Sequence, residues 1–153
     1  MNHVRELAFQ SDFLGIIKVM GGRGDLIESR KSPGNSDILY TLDAARGLLE
    51  LKRSVYFKMD NKIRLVHPVK TDQHNFLNGH NKFPAAGPVL ISVLFTKNDR
   101  SKNHAAVWAW SHWMLVRAMP LREALEASLW HGPWPPRGPL GRTDGLRQAL
   151  TEW

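Results

Sequence analysis

The stretch Val89-Leu90-Ile91-Ser92-Val93-Leu94-Phe95 constrains the fold of this chain more than any other part of it. It is rich in β-branched residues, almost continuously apolar and too short for an ordinary helix, so it reads as a central strand covered on both faces. Such a strand needs an apolar layer above it and another below, and the remaining sequence has to supply both.

The flanking sequence divides by its period. Residues 3–20 place Val4, Leu7, Ala8, Leu14 and Ile17 at helical spacing, and Gly21, Gly22 and Gly24 end that stretch. Ser32 to Ser36 is a Pro/Gly/Asn loop cluster. A second helix is expected from Asp43 to Arg53 around Leu48, Leu49 and Leu51, capped by Thr41 or Asp43. The period then changes to two, and residues 54–59 and 63–67 read as a hairpin around Asp60-Asn61-Lys62. Its register pairs Met59 with Ile63, Phe57 with Leu65 and Val55 with His67. Residues 70–87 read as a polar, Asn- and His-rich excursion. Beyond the central strand, a basic loop from Asn98 to Asn103 leads to helices expected over 104–119 and 121–130, the second stopped by Gly132. Residues 133–142 form an extended, proline-rich connector, and Thr143 or Asp144 caps a short last helix. Strands segregated from helices imply an α+β class: a small antiparallel sheet, hairpin plus central strand, packed by N-terminal and C-terminal helices in a single domain over 1–153.

Composition narrows the chemistry. With no cysteine among 153 residues, a disulfide, a thiolate nucleophile and a cysteine-ligated zinc are excluded. The apolar run Phe13–Met20 is interrupted by Lys18 and has neither a basic leader nor a cleavage site. The run Ala105–Val116 falls well short of the ~20 residues that span a bilayer. The expectation is a soluble chain, cytoplasmic or nuclear rather than secreted.

The net charge of +7 is unevenly spread. Residues 61–118 carry eight Lys/Arg against two Asp/Glu, together with His67, His74, His80, His104 and His112. A local surplus of this kind attracts polyanions. The reading that follows is a non-enzymatic accessory protein that engages nucleic acid or an acidic protein surface, with self-association compatible with it. Lys58, Lys62, Arg64, Lys70, Lys82, Lys97, Arg100 and Lys102 are the expected phosphate contacts, acting without sequence preference. No catalytic residue, metal ligand or cofactor is assigned.

Two local resemblances supply alternatives. Met59-Asp60-Asn61-Lys62-Ile63-Arg64, followed by His74 and His80, resembles the second half of the colicin-type HNH motif over roughly 25 residues. That resemblance implies a histidine-dependent metal nuclease centred on His67, His74 and His80. It departs from the family upstream, where Leu48–Phe57 contains no histidine. His104-Ala105-Ala106-Val107, Ser111-His112-Trp113 and Met119-Pro120-Leu121 resemble a stretch of the vesiculovirus matrix proteins. This second resemblance implies an adaptor that binds nucleoprotein, a protein partner or an acidic membrane surface.

Other patterns exclude more than they suggest. The six tryptophans lie at positions 108, 110, 113, 130, 134 and 153, and their helical spacing favours core packing over a base-stacking platform. There is no Gly-x-Ser-x-Gly, no His-Glu-x-x-His and no phosphate loop after Gly21-Gly22-Arg23-Gly24. Arg23-Gly24-Asp25 spells an integrin-binding tripeptide on a chain with no mark of secretion. Within 61–118 the only acids are Asp72 and Asp99, which argues against paired-carboxylate chemistry centred there.

Overall fold

A computed structural model describes residues 2–27, 36–54, 57–81, 87–96, 103–136 and 143–152. Helix α1 (Asn2–Val19) leads into strands β1 (Arg23–Ile27), β2 (Ser36–Leu42) and β3 (Ala45–Ser54). Helix α2 (Thr71–Asn81) precedes β4 (Val89–Phe95) and β5 (His104–Ala109). A 3-10 turn (Trp110–His112), α3 (Trp113–Val116), α4 (Leu121–Glu126), β6 (Trp130–Pro133) and α5 (Asp144–Thr151) complete the order. The class is α+β, as expected. The sheet is larger than expected and not purely antiparallel: among the described residues six strands lie in sequence order, and β3 pairs with β4 in parallel.

That parallel pair explains the main departure from the sequence reading. The segment expected as a helix over 43–53 is the second arm of a β2–β3 hairpin, turning at Asp43 and Ala44. Asp43 takes a φ of 54°, a left-handed conformation that Asp tolerates better than most residues. Leu48, Leu49 and Leu51 fit either period. Pairing on both sides of β3 decides for the strand, because it buries all eight residues from Gly47 to Ser54.

The expected hairpin over 54–67 is likewise absent from the described residues. Ser54 belongs to β3, Val55 and Tyr56 lie outside the description, and the returning segment touches the sheet through an isolated Ser54–Leu65 bridge. A second bridge, Lys62–Pro120, ties the same segment to the start of α4. The excursion over 70–87 contains α2, within the crossover that a parallel strand pair requires. Residues 104–109 form β5 rather than the first turns of a helix: Ala105 to Val107 are buried between β4 and β6, and Trp108 is buried beside β4. Helix α4 ends at Glu126, and Gly132 lies inside β6 rather than at a helix stop. Of the proline-rich connector, residues 137–142 lie outside the description.

Each sheet face carries its own core. On one face, Phe9, Phe13 and Ile17 of α1, Met20 just after it, and Leu146 and Leu150 of α5 meet Ile38, Tyr40, Leu49, Leu51, Leu90 and Val107. Trp134 completes this cluster, its ring centroid 5.1 Å from Phe9 and 4.9 Å from Phe13. Arg147 fastens α5 by donating to Asp43 Oδ1 at 2.9 Å and to the Met20 carbonyl at 2.7 Å. The opposite face gathers Leu48, Val89, Ile91, Val93, Phe95 and Trp108 under Leu77 of α2, Trp110, Trp113 and Leu121. Trp108, Trp110, Trp113 and Trp134 are thus buried core residues. Gly87, with a φ of +88°, is the close approach that admits β4, because a Cβ there would collide with the Arg46 carbonyl oxygen. Truncating Phe13 to alanine is expected to cost about 3–5 kcal/mol, read as a lower urea midpoint with an unchanged slope.

Candidate active site

Strand alternation puts Leu48, Glu50 and Lys52 on the α2 side of β3, and Leu49 and Leu51 on the α1 side. The α2 face therefore receives two opposite charges two residues apart in a strand paired on both sides. Glu50 is 0 % exposed and Lys52 2 %. Lys52 Nζ lies 3.4 Å from Glu50 Oε1.

The third member comes from α2. Gln73, 7 % exposed, stands at the third helical position, where a Glu or Gln commonly reaches back to the N-cap backbone N–H. It does so here, with the Lys70 amide donating to Gln73 Oε1 at 2.9 Å. The same oxygen accepts from Lys52 Nζ at 3.4 Å, while Gln73 Nε2 donates to Glu50 Oε1 at 3.4 Å. One amide thus caps a helix and holds both charges. Glu50 Oε2 is buried without a hydrogen-bond partner among the described residues. A carboxylate oxygen left so is expensive unless the site is built to receive a ligand.

The strand register adds a second acid position. Asp37 of β2 is directly opposite Glu50, and Ile27 of β1 is opposite Asp37. On the other side the row continues through Ile91 of β4 to Trp108 of β5. It therefore runs from the helix-covered part of the sheet towards β1 and β2, where Arg23, Asp25 and Thr41 are exposed on the same face.

Residues expected to bind phosphate fall into two groups. Lys58, Lys62, Arg64 and Lys70 are exposed, in the segment between β3 and α2. Lys82, Lys97, Arg100 and Lys102 lie outside the described residues. Of the histidines, His67 is exposed and His74 is half-buried with its ring 5.1 Å from Trp110, whose Nε1 donates to Asn78 Oδ1 at 2.8 Å. Among the described residues no three His, Cys, Asp or Glu side chains group as a metal cage.

Sequence reasoning missed Asp37, Glu50, Lys52 and Gln73. The available signal was Glu50-Leu51-Lys52, an acid and a base alternating with leucine at the end of an apolar run. Compared with models of known protein families, with curated proteins and with solved structures, the chain matches none.

Two outcomes are expected. Replacing Glu50 or Lys52 singly by methionine should destabilise by about 3–5 kcal/mol, whereas Glu50→Met with Lys52→Met should be near wild type or more stable in urea unfolding. The His74 pKa is held below the ordinary histidine range, first by burial and then by the Arg117 guanidinium. Its neutral form is the folded one, so its contribution is complete above about pH 6.5 and fades as pH falls through the depressed value. An NMR titration should show the low midpoint, and Arg117→Gln should move it part of the way back.

Proposed function

We propose that this chain hydrolyses nucleic-acid phosphodiesters with the help of a divalent cation, at a centre made of Glu50, Lys52 and Gln73, with Asp37 the acid at the neighbouring register position. The observation that carries this reading is the buried Glu50–Lys52–Gln73 set, with Glu50 Oε2 lacking a hydrogen-bond partner among the described residues. Interior charges are poor devices for stability, since apolar residues of similar size serve as well or better. Their presence inside a closely packed sheet points to chemistry.

The donor set suits a hard cation. Magnesium and manganese take oxygen ligands, and magnesium is commonly held by one or two carboxylates and completed by water and substrate phosphate. Glu50 offers Oε2, which has no hydrogen-bond partner among the described residues, and Asp37 is the acid at the opposite register position. When bound there, such a cation supplies Lewis acidity and a more acidic water. Lys52 stabilises the charge that grows on the phosphoryl oxygens, a role that its low-dielectric setting strengthens. Gln73 is a positioning residue: it orients the Lys52 ammonium and one Glu50 oxygen.

Binding completes the reading. Exposed Lys58, Lys62, Arg64 and Lys70 contact the nucleic-acid backbone, as do Lys82, Lys97, Arg100 and Lys102 in the α2–β4 and β4–β5 connections. A non-catalytic binding protein is the second reading, and the exposed cations favour it equally.

Cleavage assays separate the two. Plasmid DNA, single-stranded DNA and RNA should be cut in magnesium or manganese and spared in a chelator. Glu50→Gln, and Lys52→Met under conditions where circular dichroism shows it folded, should each reduce cleavage at least about 100-fold while binding, with its steep salt dependence, persists. Cleavage by folded Glu50→Gln at the wild-type rate would remove this centre from the reaction. Salt-sensitive binding by the wild type without cleavage in either cation would leave the binding reading in its place.

A further inference from the structure

Strand β1 is at one edge of the sheet, and no described strand pairs with its outer side. An open edge is a template for another chain, and charge on the edge usually blunts it. The charges of β1 behave otherwise under one symmetry. Arg23 and Asp25 share a face, are both exposed and lie 3.2 Å apart. Gly24 between them faces α1, where a Cβ would be 2.6 Å from Leu14 Cδ2.

When two copies of β1 run antiparallel about a two-fold axis at Gly24, Arg23 of each copy is opposite Asp25 of the other. Shifting the axis to Asp25 opposes the two carboxylates. Moving it midway between Gly24 and Asp25 spends Arg23 on Leu26. Parallel pairing sets like charges side by side. Only the Gly24-centred register makes every charge complementary, the condition for an interface in which the same patch serves both copies.

The same register answers an apolar feature on the opposite face. A groove of about 330 Å³ runs between α1 and β1, lined by Leu14, Gly15, Lys18, Gly22, Arg23 and Gly24. Leu26 shares the α1 side of β1 with Gly24 and is 45 % exposed, and Gly22, just before the strand, lines the groove. In the Gly24-centred pairing, Leu26 of one copy falls opposite Gly22 of the other, at the groove.

We propose that the chain forms a two-fold dimer by antiparallel pairing of β1 with β1 of a second copy, centred on Gly24, with each Leu26 at the other copy's α1–β1 groove. The dimer joins two sheets into one and sets both Glu50 rows on the same face. It does not rest on the hydrolase reading.

Sedimentation equilibrium of the full chain over a range of concentrations tests it, with circular dichroism to establish that each variant is folded. The wild type should dimerise. Asp25→Arg should weaken the dimer at least about tenfold by placing like charges across the axis, and Leu26→Lys should weaken it too. The double reversal Arg23→Asp with Asp25→Arg should restore association, because it exchanges the signs and keeps the complementarity. A wild type that stays monomeric through the micromolar range overturns the proposal. So does a folded Asp25→Arg that dimerises like the wild type, or a folded double reversal that stays as weak as the single.

Discussion

The parallel pairing of β3 with β4, from Leu48 opposite Val89 to Ser54 opposite Phe95, places β3 inside the sheet with α1 and α5 on one side and α2 on the other. An edge strand could have turned Glu50 and Lys52 towards water. β3 is paired on both sides and its Glu50/Lys52 face is covered by α2, so its alternation carries both charges into the space under that helix. The long crossover between β3 and β4 follows from the same geometry, and that crossover delivers α2 and Gln73 to the charges.

This arrangement sets a tension between folding and chemistry. Desolvating an acid and an amine is costly, and their mutual attraction repays it only with well-placed further hydrogen bonds. The contacts among Glu50, Lys52 and Gln73 are all 3.4 Å, longer than strong charge-assisted bonds, and one carboxylate oxygen has no partner among the described residues. The apolar rows around them, Ile91 and Trp108 on one strand row and Val93 beside Lys52 on the next, supply the burial that lets the sheet tolerate them.

Much of the fold was legible where a single signal spoke. The Val89–Phe95 run gave a central strand covered on both faces, and α1 and α5 were marked by period, glycines and caps. The errors arose where a short apolar run fits two periods. Leu48-Leu49-Glu50-Leu51 makes a plausible helical stripe, and Ala105–Val116 is apolar all round, as a buried strand followed by short helical turns also is. Partner strands distant in sequence decide such cases. The candidate centre was lost with β3: a search for acids confined to the basic middle segment passes over Asp37 and Glu50, which only the β2–β3 register brings opposite one another. Gln73 was hidden for another reason, since a glutamine among asparagines and histidines carries no mark of burial.

Gln73 also links two events usually treated apart. Its Oε1 accepts from the Lys70 amide at the start of α2 and from the Lys52 ammonium in the sheet. Fraying of the first turn of α2 would therefore release the side chains beneath it, and docking of that turn would assemble them. Local opening of the helix start and loss of the ordered centre become one equilibrium, and hydrogen exchange at a single backbone amide, that of Lys70, would report on both.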